Sequence, residues 1–239
     1  MAMKAVAKSP QRALTAVLAG RVYGGRSAVQ RRADRRARLF NVGLDLFGTI
    51  GFHQTTIPML CSAAGVTARH FYEDFSSREA LLSALYDQIS DTMQNAVLAA
   101  LRAPGGTMHD RIRSGTAAYI RYLTSDPRIA RVYVLESRGI SEAMEQRRRE
   151  WRETIIKRLT KATRRLEERG FDTELDSRLV SAAIAGAAHD IVLEWILAAR
   201  RPSTQKMIET LSALWIRTLL LDAFEPVAPL GYTPRRSQA

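Results

Sequence analysis

The residues with the clearest capacity for chemistry outside their own chain lie in one short segment, GVTARHFYED, at positions 65–74. Thr67, Arg69, His70 and Tyr72 lie close together there, and such side chains are costly to bury without partners. Hydroxyl, guanidinium and imidazole groups hydrogen-bond to phosphates and to base edges. The pattern therefore favours contact with a molecule outside the chain, and a nucleic acid is the partner whose chemistry fits.

Catalytic chemistry has no comparable pattern in the sequence. The four histidines (His53, His70, His109 and His189) lie far apart and show no metal-ligand spacing. Neither a nucleophile motif nor a phosphate-binding glycine loop is present. For the single cysteine, Cys61, a small buried side chain is favoured over a redox sensor. We therefore expect no enzyme activity, no metal site and no cofactor.

Two short helices joined by a tight turn are expected to position the polar segment. Thr56 should cap the first helix with Pro58 in its first turn, and Gly65 should end that helix in a left-handed conformation. Thr67 should cap the second helix, and Phe71 should point into the core as part of a hydrophobic staple. The three residues after Thr67 then occupy the turn that meets base edges when a recognition helix enters the major groove. This spacing predicts a helix-turn-helix.

The flanking sequence predicts further helices. A preceding helix should begin at Arg31, with an apolar stripe of Ala37, Phe40, Leu44, Phe47 and Ile50. A capping box of Ser76 and Glu79 should open a long helix that continues to about residue 100. The remaining sequence predicts helices up to 124, over 128–137, 141–168, 174–200 and 203–224, separated by glycine and proline breaks. With nine helices and no convincing strand, the predicted fold class is all-α.

The net charge of +12 is concentrated near the start of the chain. Residues 1–38 hold ten lysines and arginines and one aspartate, and residues 1–30 lack a sustained period, which predicts a mobile basic arm. A polyanion partner and a solvated tail are both compatible with this arm. Between positions 55 and 82 the basic residues are only Arg69 and Arg78, so most non-specific attraction to DNA is assigned to the arm and the start of the first helix.

Neither a membrane span nor a secretion signal is predicted. The longest apolar run is interrupted by His189, Asp190 and Glu194, which is typical of a core helix. The single cysteine is compatible with a reducing compartment. We expect a cytoplasmic protein with no membrane partner.

The segment LFGTIGFHQTTIPMLCSAAGVTARHFYEDFSSREALL, positions 46–82, resembles the DNA-binding domain of the TetR family of bacterial transcriptional repressors. The pieces that carry the resemblance are Phe47 and Gly51, Thr55-Thr56-Ile57, Ala64-Gly65-Val66-Thr67, Phe71-Tyr72, Phe75 and Ser77-Arg78-Glu79. They recur at fixed spacing, so the resemblance rests on several parts at once.

The resemblance implies roles for seven residues in DNA binding: Thr56, Thr67, Ala68, Arg69, His70, Tyr72 and Arg78. Thr56, Thr67, Tyr72 and Arg78 would contact phosphates. Arg69 would read a guanine, and Ala68 would contact a thymine methyl group. His70 replaces the small residue often found at its position, and it could read a base, contact a phosphate or pack on the backbone. The alternatives for the others are simple caps for the threonines and a core position for Tyr72.

The resemblance also implies a homodimer and an effector cavity. The last two long helices carry apolar and small-residue stripes that could form a four-helix dimer interface, with Ala182, Gly186, His189 and Leu193 on one helix and Leu211, Leu214 and Thr218 on the other. Two recognition helices one DNA turn apart would read a palindrome. An unidentified, largely apolar small molecule could bind among Tyr119, Tyr122, Tyr133 and Trp151, although core packing is an alternative for each.

The predicted organisation has four parts: a basic mobile arm (1–30), a helix-turn-helix domain with the start of the connecting helix (31–92), a ligand-binding and dimerisation domain (93–225) and a C-terminal tail (226–239). The predicted function is a DNA-binding transcriptional regulator that represses at a palindromic operator as a homodimer and is released by an effector. The alternative is an architectural protein that coats double-stranded DNA without sequence preference.

Overall fold

A computed structural model describes residues 27–167 and 175–219 of the chain. These residues form nine α-helices and no strand, which confirms the all-α prediction for this part of the chain. The helices are α1 (Ala28–Thr49), α2 (Ile57–Ala64), α3 (Ala68–Asp74), α4 (Arg78–Arg102), α5 (Met108–Thr124), α6 (Pro127–Arg131), α7 (Glu142–Glu167), α8 (Ser177–Leu197) and α9 (Thr204–Leu219), and a π-helical turn at Val132–Glu136 follows α6 directly. The predictions for residues 1–26 and for the C-terminal tail lie outside the described residues.

The chain divides into two compact units, Met1–Leu85 and Tyr86–Ala239. The division falls inside α4, and the boundary proposed from the sequence at residue 92 falls inside the same helix. One continuous helix therefore contributes residues to both units.

Helix α1 begins three residues earlier than predicted. The hydroxyl of Ser27 accepts a hydrogen bond from the Gln30 backbone N–H at 3.1 Å, and the Gln30 side-chain oxygen accepts from the Ser27 N–H at 2.8 Å. This capping box satisfies two backbone donors at the helix end and fixes its start at Ala28. Residues 28–30, which the sequence analysis placed in the basic arm, therefore belong to α1.

The buried stripe of α1 also differs from the predicted one. Leu39, Gly43 and Phe47 are buried at every fourth position, whereas Ala37 and Ile50 are exposed. Gly43 allows a close approach to α4, since an added Cβ atom would lie 3.3 Å from Leu81 Cδ2. The periodicity was sound, but the small Gly43 was not counted as a core position.

The two short helices form as predicted. The Thr56 hydroxyl accepts from the Met59 N–H at 3.4 Å, and Gly65 ends α2 with a φ angle of +62°. The Thr67 hydroxyl caps α3 by accepting from the His70 N–H at 3.2 Å. The preceding turn is closed by the Val66 N–H, which donates to the Cys61 carbonyl at 2.9 Å. Because the caps fix both helix ends, the sequence determines this local geometry closely.

Helix α4 starts from a different cap than the one predicted. The hydroxyl of Ser77, not that of Ser76, accepts from the Ala80 N–H at 3.0 Å. The capping box of Ser76 and Glu79 is therefore wrong, since α4 begins at Arg78. Two adjacent serines offer the same chemistry one residue apart, so the sequence alone did not separate them.

Helices α4 and α7 are joined side by side within the second unit. The Arg147 guanidinium donates to Asp87 at 2.7 and 2.6 Å, and the Trp151 indole N–H donates to the same carboxylate at 2.8 Å. Seven residues further along both helices, the guanidinium of Arg158 donates to the Gln94 side-chain oxygen. These contacts place the two helices parallel along one wall of the unit.

Among the described residues, α8 is the one helix that is long and apolar enough by composition to cross a membrane. It carries Arg178, His189, Asp190 and Glu194, and it packs against α7 and α9. Length and composition alone do not distinguish a membrane span from a helix that packs against a protein surface. The charged positions fit the second case.

Candidate nucleic-acid interface

The first turn of α3 presents its polar side chains to solvent. The Arg69 side chain is 87% exposed, and Tyr72 is 56% exposed. Ala68 and His70 are exposed as well, whereas Phe71 is fully buried. The helix therefore divides into a core face and an outward face, and the predicted base-reading residues lie on the outward one.

The two capping threonines retain a hydrogen-bond donor. The hydroxyl oxygens of Thr56 and Thr67 accept backbone N–H groups, which leaves each hydroxyl proton available to a phosphate. Both side chains are exposed at a helix N-terminus, where unpaired N–H groups and the helix dipole favour an anion. Capping and phosphate binding are thus compatible roles for the same side chain.

A group of arginines on α1 holds the C-terminal end of α3, and we call it the arginine clamp: Arg32, Arg35 and Arg36. Arg32 Nε and Arg35 Nε donate to the two carboxylate oxygens of Asp74 at 2.7 and 2.8 Å. Arg36 donates to the Asp74 carbonyl at 3.4 Å and lies 4.4 Å above the Phe75 ring. The clamp fixes the direction of the recognition helix relative to α1.

The clamp controls the ionisation of Asp74, whose side chain is fully buried. Burial alone would raise the pKa of this carboxyl group, but the hydrogen bonds from Arg35 and Arg32 outweigh it, and its pKa lies below the ordinary value. The hydrogen bond to Asp74 likewise raises the pKa of Arg35. Sequence reasoning missed this pair because the partners are 39 residues apart. From the sequence, the arginines at the start of α1 were expected to attract DNA.

Arg78 is engaged within its own unit. Its guanidinium donates to the backbone carbonyl of Thr55 and, at 3.4 Å, to that of His53. It also lies 4.2 Å above the Phe52 ring. These contacts tie the start of α4 to the loop before α2, and the predicted phosphate contact of Arg78 stays a prediction.

The second unit contains a cavity of about 1090 Å³, lined by α4, α5, the π-helical turn, α7, α8 and α9. Of the four residues predicted to line it, Tyr119 and Tyr133 do so. The other two are not among its lining residues. Trp151 binds Asp87 through its indole N–H, and the half-buried Tyr122 hydroxyl is paired with Thr92. The sequence placed these aromatic residues on the middle helices, but it did not determine which side of each helix faces the cavity.

The residues predicted to form a dimer interface divide into two groups. Gly186, His189 and Leu211 line the cavity of their own chain, and Leu211 is only 2% exposed. Leu214 is 46% exposed, while Ala182, Leu193 and Thr218 are partly buried. Two exposed leucines of α8 were missed by sequence reasoning, Leu179 and Leu197.

Cys61 is buried in α2, and burial raises the pKa of its thiol. A raised pKa keeps the thiol protonated and unreactive, which fits the packing role expected from the sequence. Among the described residues no three His, Cys, Asp or Glu side chains form a group that could hold a metal ion.

Two capped short helices, a bracing helix and an exposed polar first turn define a DNA-binding protein of the helix-turn-helix class. The family model described as "Bacterial regulatory proteins, tetR family" matches residues 39–85, which contain this motif. This part of the chain is therefore similar to the DNA-binding domain of tetR-family regulatory proteins. No curated protein sequence matches it.

Several solved structures of bacterial regulators share the fold. The fatty acid degradation regulator FadR from Bacillus halodurans is 18% identical, with a TM-score of 0.70 over 76% of this chain and 94% of that chain. A tetR-family regulatory protein from Rhodococcus RHA1 is 20% identical, with a TM-score of 0.65 over 77% and 96%. FadR from Bacillus subtilis, solved in complex with stearoyl-CoA, is 17% identical, with a TM-score of 0.68 over 76% and 98%. At these identities the likeness establishes the fold.

Proposed function

We propose that the protein is a homodimeric repressor that binds a palindromic operator and is released from it by a small-molecule effector. The observation that carries the DNA-binding half of the proposal is the outward face of α3, where Arg69 and Tyr72 are free of the core. Arg69 can present its fork to guanine O6 and N7 together, and Tyr72 can donate its hydroxyl to a phosphate. Ala68, His70, Thr56 and Thr67 complete the proposed contact set.

Binding-site selection from random DNA, followed by gel shift, tests this half. We expect a palindromic site to be recovered. Arg69→Ala should then lose about 1–3 kcal/mol of discrimination at one base pair in each half-site. Tyr72→Phe should instead weaken binding about equally on all sequences, because a phosphate contact carries no base preference.

Arg113→Ala, an exposed arginine of α5, is the matched control and should leave both properties unchanged. Equal affinity of the wild-type protein for selected and random DNA would contradict the proposal. That result would favour the architectural alternative, in which the basic N-terminal arm coats DNA without sequence preference.

Dimerisation is supported by the uncovered apolar surface of α8 and α9. Leu179, Leu197 and Leu214 are exposed in one chain. Leu179 and Leu197 lie 18 residues, or five full turns, apart and so share one face of α8, which a second copy of the chain could cover. The proposed interface is therefore built from Leu179, Leu197 and Leu214, with Ala182, Leu193 and Thr218 at its edge.

The effector half is supported by the cavity of the second unit. A volume of about 1090 Å³ is at the upper end of the range for small-molecule sites. The Bacillus subtilis neighbour was solved with stearoyl-CoA, which supports an effector with a long hydrocarbon chain. Helix α4 carries both Leu82 of the DNA-binding core and Met93 of the cavity wall, so it is the proposed route from effector to DNA. The proposed role is regulatory, non-enzymatic and cytoplasmic.

A further inference from the structure

We propose that the cavity selects a negatively charged amphiphile, whose anionic group binds a cavity arginine cluster of Arg138, Arg148 and Arg152 and whose hydrocarbon chain lies along α4 and α5. The inference rests on the proposed function in one respect, that this cavity is the effector site. The sign of the ligand's charge is argued from the side chains of the cavity alone.

The cavity wall is strongly biased in charge. Seven arginines and one lysine line it, and the acidic residues are only Glu145 and Asp190. Such a wall repels a lipophilic cation and attracts an anion. Six of the seven arginines and the lysine are exposed, so solvent weakens their effect, and the partly buried Arg148 acts most strongly on a ligand. The charge of the wall therefore favours an anionic ligand over a cationic one, a choice that the cavity volume alone does not determine.

Arg148 is the cationic residue with the clearest need for a further partner. Its side chain is 18% exposed, and its Nη1 donates to Glu145 at 2.9 and 3.1 Å. Its buried Nε has no hydrogen-bond partner among the described residues. A buried donor of a charged group is costly to leave unpaired, and a carboxylate or phosphate oxygen would satisfy it.

His189 lines the cavity near Arg138, and its pKa reflects the charges around it. Burial lowers the pKa of His189 most. The charges of Arg138, Arg148 and Arg152 lower this pKa further, Asp190 opposes them, and the resulting pKa is about 4. Its neutral Nε2 accepts a hydrogen bond from the Arg138 guanidinium. Three arginines therefore act on one point of the cavity wall, where their combined field favours an anion over a cation.

Beyond the arginines the cavity wall is first polar, at Gln94 of α4 and Thr116 of α5, and then apolar. Gln94 and Thr116 are buried, and the Gln94 amide nitrogen and the Thr116 hydroxyl have no partner among the described residues. Because Arg158 donates to the Gln94 oxygen, the Gln94 side chain must present its N–H₂ group elsewhere. One turn further, Leu98 and Leu101 line the cavity together with Ile112.

This order of groups matches an amphiphile with a charged end, a polar junction and a hydrocarbon chain. The cationic residues at the other end of the wall, Arg102 and Arg111, are exposed to solvent, as are Arg138 and Arg152, so the assignment of the anionic group depends on Arg148. Arg148 is mostly buried and lacks a partner for one donor. The anionic group is therefore assigned to the Arg148 end of the cavity.

Calorimetric titration of the full-length protein with four twelve-carbon probes, each below its micelle concentration, tests the inference. The probes are dodecanoate, dodecyl phosphate, dodecanol and dodecyltrimethylammonium, which share a chain and differ in charge. We expect at least one of the two anions to bind about tenfold or more tightly than the alcohol, and the cation to bind most weakly. The two anions together distinguish a carboxylate from a phosphate ligand.

The variants Arg148→Gln and Arg152→Gln should each weaken the preferred anion about tenfold and leave dodecanol binding unchanged. Arg121→Gln, an exposed arginine of α5 that does not line the cavity, is the matched control. Arg152 is itself exposed, so its variant should fold normally even if Arg148→Gln is destabilised by the loss of the Glu145 pair.

Equal binding of the alcohol, the cation and the anions would overturn the charge selection and leave the cavity as an effector site. Equal weakening of anion and alcohol by both variants would also overturn it. Binding of none of the four probes would overturn this inference and the proposed effector site together, while operator selection by the same protein would still test the DNA-binding half.

Discussion

Arg69 and Arg78 are the two basic residues between positions 55 and 82, and the protein uses them differently. Among the described residues, the exposed Arg69 is paired with Glu73, at 3.3 Å. An exposed pair at this spacing contributes about 0.5 kcal/mol or less, so a guanine can displace it. The guanidinium of Arg78 instead has two backbone acceptors and an aromatic face within its own unit.

We expect Arg78→Ala to destabilise the first unit by about 1–3 kcal/mol, because two charge-assisted hydrogen bonds and a cation–π contact are lost. The salt dependence of DNA binding should keep its slope, whereas loss of a phosphate contact would reduce the log–log slope by about 0.9. Urea unfolding and gel shifts at several salt concentrations measure the two effects. A shallower slope at unchanged stability would assign Arg78 to DNA instead.

For single residues, the sequence predicted the roles that depend on contacts with residues nearby in the chain. Thr56, Gly65 and Thr67 have the roles that their spacing indicated, because each cap acts within three or four residues. The partners of Arg78 are 23 and 25 residues away, so its internal role depended on a fold that the sequence did not supply.

At the scale of helices, the arginine clamp makes the position of α3 sensitive to acid. The pKa of Asp74 is lower in the folded protein than its ordinary value near 3.9. A carboxyl group with a lowered pKa contributes its full stabilisation above the ordinary pKa and loses it as the pH falls through the folded-state pKa. The clamp should therefore hold at neutral pH and weaken as the pH falls from the ordinary carboxyl pKa through the lower pKa of folded Asp74.

We expect Asp74→Asn to lower the stability of the protein at pH 7 by about 3 kcal/mol, since two arginines lose a buried counter-charge. The variant should also lose less stability than wild type when the pH falls from 5 to 3. Urea unfolding followed by circular dichroism across this pH range measures both. Parallel pH profiles for the two proteins would show that Asp74 does not contribute to the acid sensitivity.

Helix α5 approaches α4 closely at Gly115, where an added Cβ atom would lie 2.8 Å from Leu101 Cδ2. Gly115→Ala should displace the Leu101 side chain, and both residues line the cavity. We expect affinity for hexadecanoate to fall about tenfold and affinity for dodecanoate to fall less, as measured by calorimetry.

Gly186→Ala is the matched control for this change. Gly186 also lines the cavity, but no atom lies within 4 Å of an added Cβ there. The control should therefore keep the ratio of the two affinities. An equal loss for both chain lengths in Gly115→Ala would show that this part of the cavity does not contact the chain.

Helix faces explain why the cavity was predicted only in part. Tyr119 and Tyr122 lie three residues apart on α5, yet only Tyr119 lines the cavity. The choice depends on how α5 is rotated against α4 and α9, and the pattern of α5 alone did not fix that rotation. The arginines of the wall were also missed, because a charged side chain on a long helix is normally assigned to solvent.

At the scale of the whole molecule, the exposed leucines predict the oligomeric state. We expect Leu214→Glu to shift the protein from dimer to monomer in sedimentation equilibrium, because a charge in the centre of an apolar interface is costly. Gel shift should show a parallel loss of affinity for a two-half-site operator.

Val29→Glu is the control for the sedimentation measurement alone, since Val29 is even more exposed and lies in the other unit. A dimer that survives Leu214→Glu would place the subunit interface on another surface. Unchanged operator affinity in a monomeric variant would contradict the proposed paired reading of DNA.

The burial of Cys61 has a practical consequence for the molecule as a whole. As the sole thiol of 239 residues, it places a single chemical reporter inside the DNA-binding unit. A thiol reagent such as Ellman's compound can reach it only during an opening of that unit, so its labelling rate counts openings there. The three tryptophans (Trp151, Trp195 and Trp215) all lie in the other unit, so fluorescence follows that half separately. The native chain thus carries two separate reporters of unfolding, the Cys61 thiol for the DNA-binding unit and the tryptophans for the second unit.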